Sequence, residues 1–199
     1  MKEKFELLHD WDFIKTIFFT GFFSKVTLSG VIFFALPLIL SKYEFTKSQI
    51  GQVIVFYSIG ILIGGFLVSR YKMIKINQKP LMLGLILSAL SMISIGLLEF
   101  LHGNIFMTPI LIVSLCFLGI SHSIISSYLL PNIFNFNITK HLGISHVRPF
   151  VLTCERGGNI FGPLIMMELI ILFDYSFFPI LVFGLVAILF ALIFRMKIS

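Results

Sequence analysis

The chain has 199 residues, of which 58% are hydrophobic and only 12% are charged, and its mean hydropathy is +1.04. A soluble domain needs a largely polar and charged surface, so this composition excludes an ordinary soluble protein and indicates one that lies in lipid. A formal net charge of +6 suggests nucleic acid as the partner of a soluble protein. In a membrane protein the same excess marks the cytoplasmic loops, so we expect membrane lipid as a partner and no nucleic acid.

The first fifteen residues combine acidic and apolar side chains at helical spacing. Their four acidic residues argue against a cleaved signal peptide. Leu7, Leu8 and Ile14, with Trp11 as an interfacial anchor, predict a cytoplasmic amphipathic lead-in over residues 1–15 that lies along the membrane surface. A frayed tail is the alternative.

Six apolar segments follow, each able to cross the hydrocarbon core, which takes about 20 helical residues. Helices are expected because backbone groups cannot stay unpaired in lipid, and the alternation typical of an outer-membrane barrel is absent. An Asn-rich stretch after residue 131 would add a turn to the fourth helix. We predict an all-α integral membrane protein whose six-helix domain, residues 16–199, has spans at 16–41, 49–69, 80–101, 105–130, 149–173 and 177–194.

Basic residues are concentrated on one side of this predicted topology. Only Lys42 and Lys47 fall in loops on the other side. The positive-inside rule therefore predicts that both termini lie in the cytoplasm. We expect the membrane to be a bacterial inner (plasma) membrane. The basic residues on the cytoplasmic side are Lys2, Lys4, Lys15, Arg70, Lys72, Lys75, Lys79, Lys140, Arg148, Arg195 and Lys197.

Polar side chains are distributed unevenly among the six predicted helices. The first, second, fourth and fifth helices carry most of them, and the sixth carries none. The third has mainly Ser88, Ser91 and Ser94, a stripe of small residues that favours close helix packing. Polar groups in a membrane usually face a bundle interior or a wet cavity, so four helices are predicted to line a cavity and two to face lipid.

Four short motifs follow one another along the chain. They are Leu36-Pro37-Leu38-Ile39-Leu40 before Gly51, the run from Gly65 to Arg70, Gly119-Ile120-Ser121-His122-Ser123, and Arg156-Gly157-Gly158 with Gly162-Pro163. In this order, and with this distribution of polar residues, the chain resembles the C-terminal six-helix half of a major facilitator superfamily transporter. The Gly65–Arg70 run is similar to the Gly-x-x-x-Asp-Arg loop of that family, with Ser69 in place of the aspartate.

The resemblance implies half of a secondary active transporter that moves a small solute by alternating access and is incomplete alone. The second six-helix half would be another chain, a missing N-terminal half, or a second copy of this chain. Gly65 and Arg70 would belong to a gating loop, and Gly158, Gly162 and Pro163 to a hinge or a close-packing face.

Five residues within the spans are candidates for substrate binding or coupling. A buried charge needs a partner or a wet cavity, although Lys25 has the alternative of snorkelling to the surface. Glu155 and Arg156 project about 100° apart on one helix, so they cannot pair face to face with each other, and one of them would tie helices together or bind solute. His122 would relay protons or be satisfied by a neighbouring helix. The candidates are Lys25, His122, Glu155, Arg156 and Asn159.

Two other functional classes compete with transport. A transport-inactive membrane sensor or assembly module is the main alternative. A membrane-embedded enzyme ranks third, because the chain has no His-Glu-x-x-His motif and no paired intramembrane aspartates. We therefore predict no catalytic residues and no cofactor. No metal site is expected either, since His141 and His146 share a loop that lacks a Cys or an acid to complete a ligand set.

Overall fold

The computed structural model describes residues 10–70, 78–101 and 104–195, and it contains no β-strand within these ranges. Six long helices and one short helix account for nearly all of the described chain, which confirms the all-α class. The helices are α1 (Trp11–Lys42), α2 (Lys47–Arg70), α3 (Lys79–Gly96, continued by a 3-10 turn over Leu97–Leu101), α4 (Met107–Phe134), α5 (Asn137–Leu142), α6 (Ile144–Leu172) and α7 (Phe178–Arg195).

Capping groups set the beginnings of the first two helices. The Asp10 carboxylate accepts the backbone N–H groups of Asp12 and Phe13, at 3.2 and 3.1 Å, and so satisfies free donors at the start of α1. At α2 the Gln49 side chain accepts the Thr46 N–H at 2.8 Å, while the Thr46 hydroxyl accepts the Gln49 N–H at 3.3 Å. This reciprocal capping box defines where the second helix begins.

The helices follow the predicted spans closely, with differences at three ends. The fourth helix runs through Pro131 to Phe134, so the extra turn is confirmed. The fifth long helix begins at Ile144 instead of residue 149. Residues 11–15 of the lead-in belong to α1, which runs without interruption from Trp11. Phe13 in this segment is fully buried, and its ring packs against those of Phe136 and Phe150. Residues 1–9 of the lead-in lie outside the described ranges.

Four of the described helices, α1 to α4, are long and apolar enough to cross a membrane. Helix α6 has 29 residues, but Glu155, Arg156 and Glu168 interrupt its apolar sequence. Helix α7 has 18 residues and is apolar along its length. The protein is therefore an all-helical membrane protein.

Helix pairs, and not a single central helix, organise the bundle. Helix α1 packs along α6, α2 packs along α4, and α3 packs against both α4 and α7. Between α1 and α7 the contact consists of phenyl rings: Phe19 stacks on Phe190 with centroids 4.5 Å apart, and Phe23 stacks on Phe183 at 5.9 Å. These aromatic pairs supply apolar area without bringing the two backbones together.

Two of the helix pairs cross at glycines that face each other. A Cβ atom added to Gly60 of α2 would lie 2.1 Å from the Cys116 carbonyl oxygen, and one added to Gly119 of α4 would lie 2.1 Å from that of Tyr57. Helices α1 and α6 meet in the same way, because a Cβ on Gly30 would lie 2.5 Å from the Gly162 carbonyl oxygen. The backbones can approach this closely only where no side chain intervenes.

Gly60→Ala is expected to destabilise the bundle by about 1–3 kcal/mol, because the added methyl group meets backbone atoms that cannot move without shifting a helix. Gly51 on the same helix is the matched control, since nothing lies within 4 Å of its Cβ position. Gly51→Ala should leave stability unchanged or raise it, because Ala is the better helix former. Thermal unfolding of both variants in detergent, followed by circular dichroism, measures the difference. Equal stability of the two variants would contradict the glycine crossing.

Candidate functional site

A lysine and a glutamate lie together where α1 crosses α6. Lys25 is partly buried on α1, and its Cβ lies 2.9 Å from the position that a Cβ on Gly158 would take. Glu155 of α6 is also partly buried and packs over Gly21, with its Cγ 3.6 Å from the Cβ position there. The Lys25 ammonium and the Glu155 carboxylate attract each other across this crossing without forming a direct ion pair. The close crossing thus places two opposite charges in the interior of the bundle.

A buried tyrosine–histidine pair lies at the other glycine crossing. The Tyr57 hydroxyl of α2 and Nδ1 of His122 of α4 are 2.8 Å apart, and the two rings meet edge to face. The His122 Nε2 is buried and has no hydrogen-bond partner among the described residues. Lys25 forms no hydrogen bond with His122, but its positive charge is near enough to act unfavourably on a protonated His122 ring. A buried ring nitrogen without a partner is costly and indicates a place where water or a solute group completes the bonding.

Lys25, Tyr57, His122 and Glu155 are here called the central polar cluster. Each of the helices α1, α2, α4 and α6 contributes one of these side chains. The cluster provides a cation, a carboxylate and a hydrogen-bonded imidazole where the helices cross. Tyr57 was not among the predicted site residues, although a hydroxyl in a long apolar helix is a signal that could have identified it.

The remaining predicted binding residues lie elsewhere on α6. Arg156 and Asn159 are exposed on the open face of that helix, whereas Glu155 points toward α1. The prediction that Glu155 and Arg156 project to different sides is therefore confirmed. The structure brings Lys25, His122 and Glu155 together and leaves the other two on the open face, so one surface shared by all five stays a prediction.

The residues assigned to gating or bending fall into two groups. Gly158 and Gly162 are buried in close contact with α1, and Pro163 follows them inside α6; a hinge at these residues stays a prediction. Gly65 and Arg70 lie at the last turns of α2, where the Arg70 guanidinium lies over the Phe66 ring, 5.8 Å from its centroid. The gating role of this end also stays a prediction.

A second polar cluster, which the sequence analysis did not predict, connects the C-terminal ends of α1 and α3 with the N-terminal end of α7. The Tyr43 hydroxyl donates to the Glu99 carboxylate, 2.9 Å from each of its oxygens, and the Phe177 N–H donates to Glu99 Oε2 at 2.8 Å. The Tyr43 and Phe177 rings stack at 5.2 Å. Lys42 forms an ion pair with Asp174 at 3.0 Å. We call these five residues the distal clasp. The sequence feature that could have indicated this cluster is Glu99, an acid near the end of the predicted span 80–101.

Burial, and then the Glu99 carboxylate beside it, raise the pKa of Tyr43 to about 12. The phenol is therefore neutral at any physiological pH and remains a donor to Glu99. Ionisation would place a second negative charge against the carboxylate.

The fold and the central polar cluster define a helical membrane protein with an internal polar site. No protein-family model matches the chain, and neither a curated protein nor a solved structure matches it. Within the described ranges, no group of three or more His, Cys, Asp or Glu side chains is placed to hold a metal ion.

Titration of Tyr43 is expected to have its midpoint near pH 12, measured as the tyrosinate absorbance of the wild type minus that of Tyr43→Phe. Because the folded-state pKa is raised, the stabilisation from neutral Tyr43 is present below the unfolded pKa of about 10 and is lost as the pH rises through 12. Glu99→Gln should lower the midpoint only part of the way, since burial is the larger cause. A wild-type midpoint near 10 would show that the clasp does not form.

Proposed function

We propose that this chain is one six-helix half of a major facilitator-type secondary transporter, which moves a small solute by alternating access to a site near the membrane midplane. The observation that carries the proposal is the central polar cluster, in which Lys25, Tyr57, His122 and Glu155 come from four different helices. Ionisable groups inside a membrane are costly, and they usually mark a solute or ion pathway. These are the four helices expected to line the cavity.

The proposal treats α6 and α7 as the fifth and sixth spans. At 1.5 Å per residue, α6 is roughly 43 Å long and α7 roughly 27 Å, which suits a hydrocarbon core of about 30 Å. The charges that interrupt the apolar sequence of α6 are accounted for if its open face borders a wet cavity. Arg156 and Asn159 would then contact solute or a second half, and not lipid.

The pairing of the helices supports two inverted three-helix repeats. In these repeats α1 corresponds to α4, α2 to α6, and α3 to α7. When each helix is replaced by its counterpart, the α1–α6 pair becomes the α4–α2 pair. Both pairs cross at facing glycines, Gly30 with Gly162 and Gly119 with Gly60. The α3–α7 pair converts into itself. Nested inverted repeats of this kind are typical of such a half.

Labelling from outside intact cells tests the proposed topology. Ser48 and Ser145 are exposed residues in the first turns of α2 and α6, so Ser48→Cys and Ser145→Cys form a matched pair. In a background with Cys116 and Cys154 replaced by Ser, a membrane-impermeant maleimide should label Ser48→Cys at once. It should label Ser145→Cys only after the membrane is permeabilised. The reverse order would overturn the orientation with both termini in the cytoplasm.

The purified chain in liposomes is expected not to accumulate solute alone, because its polar open face needs a second half. Ile160→Cys on α6 should cross-link to that half or to a second copy, whereas the control Leu189→Cys, exposed on α7, should not. Vesicles with the complete assembly should accumulate a solute from a metabolite extract, as read by mass spectrometry of their contents.

The central cluster is tested in the same assembly by two identical charge changes on one helix. Glu155→Gln should abolish accumulation, since it removes the carboxylate beside Lys25, and Glu168→Gln on the exposed face should retain it. A monomer that accumulates solute, or equal accumulation by the two variants, would contradict the proposed function.

A further inference from the structure

A cavity lies beside the distal clasp, far from the central polar cluster. It has a volume of ≈ 410 Å³ and opens between the α1–α2 connection, α2 and the first turn of α4. This size is in the range of pockets for small molecules. Its lining includes Tyr43, Glu44, Phe45, Gln52, Phe56 and Thr108. We call it the distal pocket.

The lining combines aromatic rings with a single ionised group. Tyr43, Phe45 and Phe56 supply three rings, and Glu44 supplies the carboxylate. Two lysines flank this wall in sequence: Lys42, which forms an ion pair with Asp174, and Lys47, which is exposed and is not among the lining residues. Rings with a carboxylate, and no cation among the lining residues, favour a positively charged guest.

The turn that carries Glu44 is held in a backbone conformation that non-glycine residues rarely adopt. Glu44 has a φ of 63°, and the hydrogen bonds from its N–H to the Ser41 carbonyl and from the Phe45 N–H to the Leu40 carbonyl fix the turn on both sides. These two hydrogen bonds form the usual left-handed cap at the end of a helix, here α1, and they fix the direction of the chain that follows. The turn places Glu44 in the wall of the pocket beside Phe45.

The clasp also fixes one aromatic wall before any guest binds. The Tyr43 ring is held by its bond to Glu99 and by its stacking on Phe177. A preorganised wall lowers the entropy lost on binding. The amide of Gln52 and the hydroxyl of Thr108 lie in the same lining and are available to a polar substituent of the guest.

We propose that the distal pocket is a binding site for a small organic cation, such as a quaternary ammonium compound. Its charged group lies against the aromatic rings and Glu44, and its polar substituent bonds to Gln52 or Thr108. The site goes beyond the proposed transport function, because it requires only that the pocket meets water. Binding can therefore be measured on the purified chain without a second half.

Choline is the probe, and 3,3-dimethylbutan-1-ol, in which carbon replaces the charged nitrogen, is the neutral control of the same shape. Saturation-transfer NMR titrations of the chain in detergent micelles, with empty micelles subtracted, give the affinities. Choline should bind saturably, and the neutral analogue at least about tenfold more weakly, because the charge interaction is lost. Glu44→Gln should weaken choline binding by about tenfold or more, while Glu168→Gln, the same change on exposed α6, should bind as the wild type does.

Phe56→Leu provides a second variant, which keeps the apolar volume and removes one ring from the lining. It should weaken choline binding by severalfold and leave the neutral analogue unaffected. No saturable binding of choline by the wild type, equal affinity for the neutral analogue, or equal effects of Glu44→Gln and Glu168→Gln would each overturn the proposal. If the wild-type chain does not bind choline but the two-half assembly still accumulates solute, the distal-pocket proposal is wrong and the transport proposal is unaffected.

Discussion

The free-energy cost of an unpaired polar group in hydrocarbon governs how this chain is built. Backbone N–H and C=O groups avoid this cost by pairing within helices along nearly all of the described chain. Side chains meet it in three ways. Hydroxyls return to their own helix, as when Thr27 donates to the Phe23 carbonyl at 3.0 Å. Charged and aromatic polar groups collect where two helices cross, and the ends of the bundle hold the ion pair and the carboxylate of the clasp.

The same cost explains why the glycine crossings and the polar side chains occur together. Facing glycines bring two backbones close, so side chains beside a crossing reach across to the partner helix. Glu155 reaches over Gly21 toward α1, and Tyr57 reaches His122 next to the contact of Gly60 with Gly119. A small residue on one helix thus makes room for a polar residue on the other.

Hydropathy and turn chemistry were enough to predict the helices but not their partners. Each long helix lies close to a predicted span because an apolar run in lipid has one regular solution. The pairing of α1 with α6 could not be predicted, since contacts far apart in sequence depend on which surfaces fit together. Lys25, His122 and Glu155 could be singled out because charge is conspicuous in an apolar helix. Glu99 was missed, as its role depends on Tyr43 and on the Phe177 backbone, which reach it only in three dimensions.

The phenyl contacts between α1 and α7 give the bundle mechanical properties that its glycine crossings do not share. Where a carbonyl oxygen lies against a glycine, the two backbones are in direct contact, which limits how far one helix can move toward the other. Stacked rings such as Phe19 with Phe190 can slide over one another while losing little contact area. The α1–α6 and α2–α4 crossings are therefore stiffer than the ring contact between α1 and α7. A change in the lateral pressure or thickness of the surrounding bilayer would be absorbed first between α1 and α7, leaving the Lys25–Glu155 and Tyr57–His122 distances unchanged.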